Sequence, residues 1–391
     1  MTDGSNGAGP LAGLRLIDFG QYLAGPFGPM VLGDLGADVI KVEPVTGDGM
    51  RGVGTPFFGC QRGKRDIAIN LKDPDGLALA MELVAKADLV HHNMTKGTAA
   101  RLGIDDAACR AVNPDVIYCN TYAYGLEGPL SAFGGLDPLY QASAGLEYEV
   151  GAVHHGLEPL YYRFGMCDAA NAMLSAVGLL LALVRRDRTG DAQELWTSLM
   201  DGGAWHASDV LLHPDGTPSW RPKVDRGQHG FGPYYRLYDT QSGWIQVAAV
   251  RPEEQAALRA AVELDAANDE AAFEIRFLTK TSLQWKSLLD DVGVPNEIAF
   301  DAMGGAGALY DADAERLGLV VEYEHPIMGS LRQFGELVNF SDTPARVFGP
   351  PPRVGEHTLE ILEWLGRDGD AEKLAAAGVV YWPDERYHWP W

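Results

Sequence analysis

The sequence predicts an α/β protein, with a large parallel-sheet, Rossmann-like domain joined to a smaller α+β domain, and three observations carry the prediction. Short apolar runs alternate with amphipathic stretches over the first half of the chain, the pattern of βαβ units in a parallel sheet. A Pro- and Gly-rich tract at 213–232 then breaks the alternation, as crossings between domains do. Finally, 391 residues exceed the length over which one hydrophobic core keeps growing.

Leu14 to Phe19 reads as a first strand, Gly25 to Gly36 as a helix with Pro26 in its first turn, and Asp38 to Glu43 as a second strand. The unit recurs: Pro74 to Lys86 helical, Ala87 to His91 extended, Asp105 to Ala111 helical, Val116 to Cys119 extended. A long helix follows from about Asp168 to Arg188, its cations and Gly190 placed where a helix dipole and a left-handed stop favour them. Gln193 to Thr197 is strand-like and Ser198 to Leu212 helical. Beyond the tract, Tyr234 to Val250 predicts a hairpin turning at Ser242-Gly243, and Glu253 to about Leu289 predicts helices.

Composition excludes several functions. With 46% hydrophobic and 22% charged residues the chain reads as globular, and a formal charge of -23 disfavours nucleic acid, whose phosphates need a basic surface. The charge is uneven: residues 1–110 hold 11 Lys+Arg against 13 Asp+Glu, a net of -2, and the remaining residues 20 against 41, a net of -21. The first segment can therefore receive an anion that the rest would repel. The strongly apolar run Ala176 to Val184 is about half of the roughly 20 residues a span requires, so it is expected as a buried helix and no membrane partner is expected. Met1 to Pro10 lacks the basic and apolar parts of a signal peptide, which leads to an expectation of a cytoplasmic protein. Cys60, Cys109, Cys119 and Cys167 show no CxxC spacing, so reduced thiols and no metal are expected.

No GxGxxG follows the first strand and no GxSxG or HExxH occurs, which disfavours a dinucleotide and removes the usual signals of hydrolase and zinc chemistry. The pairs His91-His92 and His154-His155 are expected at the surface. Asp168, at the start of the long helix, has two readings. It serves as a helix cap, the commonest role of Asp there, or as a nucleophile whose anion the helix start stabilises. Cys167 beside it is expected to be a small buried residue rather than a reactive thiol.

A set of ordered segments resembles one family closely: Leu11 to Arg15 with Ala24-Gly25-Pro26; Leu35 to Pro44; Gly63-Lys64-Arg65 with Asn70-Leu71-Lys72; Arg101-Leu102-Gly103; Asn113-Pro114; Gly165 to Asp168; Arg188-Thr189-Gly190; and Gly355 to Thr358. The sequence is similar in these to the family III CoA-transferases, a group that includes formyl-CoA:oxalate and carnitine CoA-transferases and the related α-methylacyl-CoA racemases. The resemblance implies an enzyme that moves coenzyme A from an acyl-CoA to a carboxylic acid through aspartyl anhydride and aspartyl-CoA intermediates, with Asp168 as catalytic residue. Coenzyme A and acyl-CoA would be substrates, and no cofactor would be tightly bound.

The resemblance also assigns the CoA moiety to Arg65, Ile69, Lys72, Asn93, Arg101 and Leu102; cations would meet its phosphates and apolar side chains its adenine. Where many relatives read Asn-Phe-Arg-Pro-Gly, this chain reads Asn93-Met94-Thr95-Lys96-Gly97, so Lys96 is the candidate to supply the missing charge. Gly227 to Gly232 would correspond to a Gly-rich segment over the acyl site in some relatives, or serve as a plain linker. An intertwined homodimer is implied, in which the chain runs out to the small domain and returns. The domains are then expected as 1–212 for the large CoA-binding and catalytic domain, 213–232 for the linker, 233–328 for the small domain and 329–391 for the return to the large domain. Two alternatives remain. A racemase would need a second titratable base where this chain places Leu136, in Gly135-Leu136-Asp137, and a non-catalytic acyl-CoA-binding protein would have no use for Asp168.

Overall fold

Six short runs become the parallel strands of one sheet: β1 (Arg15–Asp18), β2 (Asp38–Glu43), β3 (Arg65–Ile69), β4 (Leu89–His92), β5 (Ile117–Tyr122) and β6 (Glu194–Ser198). The structure, a computed structural model, describes residues 9–163, 165–265, 270–300 and 307–383. After β6 come β7 (Tyr235–Asp239), β8 (Trp244–Ala248) and β9 (Asn296–Ala299), which pair antiparallel in a separate three-stranded sheet. The hairpin β10 (Val320–His325) and β11 (Gly329–Phe334) follows, and β12 (Val380–Tyr381) pairs antiparallel with β3 at the edge of the large sheet. The large sheet runs β12-β3-β2-β1-β4-β5-β6.

Every residue of β2 and β5 is buried, because a parallel sheet is covered by helices on both faces. Successive residues point to opposite faces, so Ile17, Val42, Ile67 and Tyr118 pack with Leu79, Leu83, Ile361 and Leu362 on one side. Leu16, Val39, Leu89, Ile117 and Cys119 pack with Ala176, Leu179 and Leu183 on the other. The last three belong to the long helix Met166–Thr189, which ends at Gly190 with φ 77°. By length and composition this helix alone among the described residues suffices to cross a membrane, but half of its most apolar window is buried within the protein, consistent with its packing on the sheet. Strand β3 was not legible in the sequence, since Arg65 and Asp66 disguise a run that is otherwise Ile-Ala-Ile.

The chain divides into two units, Met1–Ala144 with Phe164–His206 and Glu315–Trp391, and Gly145–Arg163 with Ala207–Ala314. Relative to the boundaries read from sequence, residues 145–163 group with the second unit and the return begins at Glu315 rather than 329. The helix expected over Ser198 to Leu212 is only Leu199–His206, ending where the chain leaves the first unit. In the second unit Tyr238, Ile245, Val247, Phe273, Phe277, Trp285 and Leu289 form the core. The Gly-rich segment is tied to β7 there: Leu237 N–H donates to His229 O at 3.0 Å, and the buried Arg236 reaches His229 Nδ1 at 3.0 Å and Glu274 at 2.8 Å.

Candidate active site

The carboxyl ends of β1, β4 and β5 and the start of the long helix meet around one cavity of about 160 Å³. Tyr22, Asn93, Thr121, Tyr122, Gly135, Leu136, Asp168 and Leu199 are among the residues that line it. Ligands of open parallel sheets collect at this end of the strands. Asp168 is the third residue of the long helix, whose cap residue, Gly165, has no side chain to offer the first-turn N–H groups. Asp137 caps the helix instead. Its carboxylate, at the start of the helix Asp137–Ser143, accepts from Asp168 N–H at 2.9 Å and from the Gln141 amide. The capping alternative for Asp168 is thereby answered: its backbone is capped by another aspartate, and its own carboxylate is left to face the cavity.

No Lys, Arg or His among the described residues pairs with that carboxylate. Burial, followed by the negative charge of Asp137, pushes the Asp168 pKa up to about 7. Both effects oppose the stabilisation of the anion that the helix start offers. Beside it Cys167 is fully buried, and burial ahead of Asp137 and Asp168 lifts its thiol to about 12, so it is packing and no nucleophile.

The other assigned residues fall into three groups. Asn93 lines the cavity, but its side chain is spent on Gln21, accepting from the N–H at 2.9 Å and donating to the carbonyl at 2.7 Å. Lys72, Lys96 and Arg101 lie exposed with no carboxylate partner among the described residues; Lys96 donates to Leu126 O at 2.7 Å and Arg101 to Thr98 Oγ1 at 2.7 Å, and Leu102 packs at the edge of the first core. Arg65 and Ile69 are otherwise engaged. The Arg65 guanidinium holds Asp38 at 2.7 Å and Glu360 at 3.1 Å, and Ile69 is 1% exposed within the core, because β3 is an interior strand rather than a loop. Neither residue lines the cavity of Asp168.

His91 and His92 are buried, not at the surface. His91 Nδ1 lies 3.3 Å from Asp18, and His92 is held between Tyr118 Oη at 2.7 Å and Met94 N–H at 3.1 Å, with burial lowering its pKa to about 3. They close β4, where a strand covered on both faces leaves no solvent-facing position. His154 and His155 are exposed as expected. Sequence reasoning missed Asp137 as a functional partner, although Asp before Pro138 at a helix start is a legible capping signal. It also missed Tyr22, whose φ of 60° no local signal announces.

The model of the family described as CoA-transferase family III matches residues 11–358. The chain belongs to that family. It is 29% identical to the succinyl-CoA:glutarate CoA-transferase of Mus musculus, over 95% of this chain and 90% of that protein. It is likewise 29% identical to the succinate–glutarate CoA-transferase of Agrobacterium fabrum, over 93% and 98%. A CAIB/BAIF family protein from Brucella suis shares the fold, with a TM-score of 0.80 at 24% identity over 92% of this chain and 100% of that one. The protein is thus a CoA-transferase family III enzyme with CoA thioesters as substrates.

Proposed function

We propose that the enzyme transfers CoA from an acyl-CoA to a carboxylic acid by covalent catalysis on Asp168. The observation that carries the reading is the Asp168 carboxylate, facing a cavity at a helix start and unpaired with any described cation, while Asp137 caps the backbone behind it. Asp168 attacks the thioester carbonyl and the C–S bond breaks, giving an aspartyl anhydride and CoA thiolate. The thiolate attacks the aspartyl carbonyl, releasing the donor acid and leaving aspartyl-CoA. The acceptor carboxylate attacks that thioester, re-forming an anhydride and thiolate, and thiolate attack on the acceptor acyl carbonyl yields the new acyl-CoA and free Asp168. Oxyanions would draw on the N–H groups of Met166 and Cys167, which a helix cannot satisfy internally.

Lys72, Lys96 and Arg101 would meet the CoA phosphates, since their charges are not neutralised by carboxylates. Leu136, in the cavity wall, favours transfer over racemisation because it cannot carry a proton. The named relatives suggest short dicarboxylates such as succinate and glutarate as the first acids to test, and an intertwined homodimer is part of the same reading. Incubation with succinyl-CoA followed by hydroxylamine should leave a hydroxamate on the Asp168 peptide and none in Asp168→Asn. Transfer by a folded Asp168→Asn enzyme, or α-deuteration of a 2-methylacyl-CoA in heavy water without any transfer, would overturn the proposal.

A further inference from the structure

Residues Gly20 to Tyr22 form a loop after β1 whose backbone polar groups all meet side chains. Gly20 N–H donates to Asp18 Oδ1 at 2.8 Å and Gly20 O accepts from Lys41 Nζ at 2.9 Å. Gln21 exchanges both of its backbone groups with the Asn93 amide at 2.9 and 2.7 Å. Tyr22 N–H donates to Asp48 Oδ1 at 3.1 Å, and Tyr22 O lies 3.4 Å from Cys60 Sγ, whose one S–H is shared with Pro56 O at 3.4 Å. Four of the five side chains that meet the loop, Asp18, Lys41, Asp48 and Cys60, are buried.

That over-determination holds Tyr22 at φ 60°, a left-handed conformation that a bulky side chain adopts only when its surroundings impose it. The ring lies over Gly49. Its hydroxyl lies 2.6 Å from where a Cβ on Gly49 would stand, a position open only because residue 49 is glycine. Tyr22, 44% exposed, thus lines the Asp168 cavity from a backbone that is fixed in place. Strain retained beside a reacting group points to a use for the side chain that imposes it.

We propose that Tyr22 is a specificity-determining residue that limits the length of the acyl group, restricting the enzyme to short-chain acids. The proposal rests on the transferase reading of Asp168. The cavity, about 160 Å³, matches the roughly 150 Å³ in which an engineered protein cavity holds benzene, which is room for a short acyl chain against Tyr22. A wall whose backbone is pinned in this way cannot withdraw by movement of its loop.

The test is transfer from butyryl-, octanoyl- and dodecanoyl-CoA to succinate by the wild type, Tyr22→Gly and Tyr22→Asn. Both replacements tolerate the left-handed backbone, so both should fold and melt close to the wild type. The wild type should favour butyryl-CoA, and both variants should raise kcat/KM for octanoyl-CoA relative to butyryl-CoA by about tenfold or more. Equal use of dodecanoyl- and butyryl-CoA by the wild type overturns the proposal, as does an unchanged chain-length profile in the folded variants. If neither variant folds, thermal shifts of the wild type decide: dodecanoyl-CoA stabilising it no better than free CoA supports the limit, and dodecanoyl-CoA matching butyryl-CoA overturns it. Transfer with the wrong length preference sinks this inference alone, whereas no transfer from any thioester sinks the reading of Asp168 with it.

Discussion

Asp18 closes β1 and Asp168 opens the long helix, and their surroundings treat an identical side chain in opposite ways. At Asp18 burial would raise the pKa, but Lys64 at 2.8 Å, reinforced by His91 and Lys41, outweighs it and holds the carboxyl below the usual carboxylate range. At Asp168 burial acts with Asp137 and no cation among the described residues answers it, so the carboxyl is raised. The difference separates a structural carboxylate from the one we propose as the nucleophile. Both Asp18 oxygens are committed, to Gly20 N–H, His91 and Lys64, whereas in the proposed mechanism the Asp168 oxygens meet an incoming carbonyl.

The largest effect expected from this contrast is on folding. Asp18→Asn removes the partner of a buried lysine and should cost about 3–5 kcal/mol, seen as a lower denaturant midpoint, while Asp168→Asn should fold. The signs with pH also oppose. A depressed carboxyl stabilises the fold above its unfolded pKa near 3.8 and loses that contribution as pH falls through its lower folded value. A raised carboxyl favours the fold most below 3.8, an advantage lost as pH rises through about 7. Relative to the wild type, Asp168→Asn should therefore melt about the same at pH 4 and higher above pH 7. A constant offset across that window would break the comparison.

A smaller effect sharpens the role of Asp137. Asp137→Asn keeps an oxygen for the Asp168 N–H but removes the negative charge, so the acid limb of kcat/KM, expected near pH 7 in the wild type, should move down by about one unit. An unmoved limb would mean that burial alone sets the Asp168 pKa. Least dramatic is the contrast between two arginines. Arg65→Gln should lower stability by about 1–2 kcal/mol with little change in the KM for acyl-CoA, since its guanidinium is already paired. Arg101→Gln should raise that KM several-fold at unchanged stability; the opposite pattern in a thermal melt and a titration would return Arg65 to the CoA site.

By itself the sequence determined the order of βαβ units, because apolar periodicity and turn residues act locally: Asp38–Glu43 and the stop at Gly190 lie where the pattern placed them. The family resemblance, carried in part by Gly165 to Asp168, also singled out Asp168 as the nucleophile candidate. Tertiary structure alone decided the rest. Asp137 caps a helix that begins 29 residues later, and Asp38 and Glu360 take up Arg65 from opposite ends of the sequence. Tyr22 owes its left-handed backbone partly to Asp48 and Cys60, which lie far along the chain. Local patterning records what a residue prefers, whereas the charge or strain it carries in the fold is set by the partners that folding brings to it, and those partners are scattered along the chain.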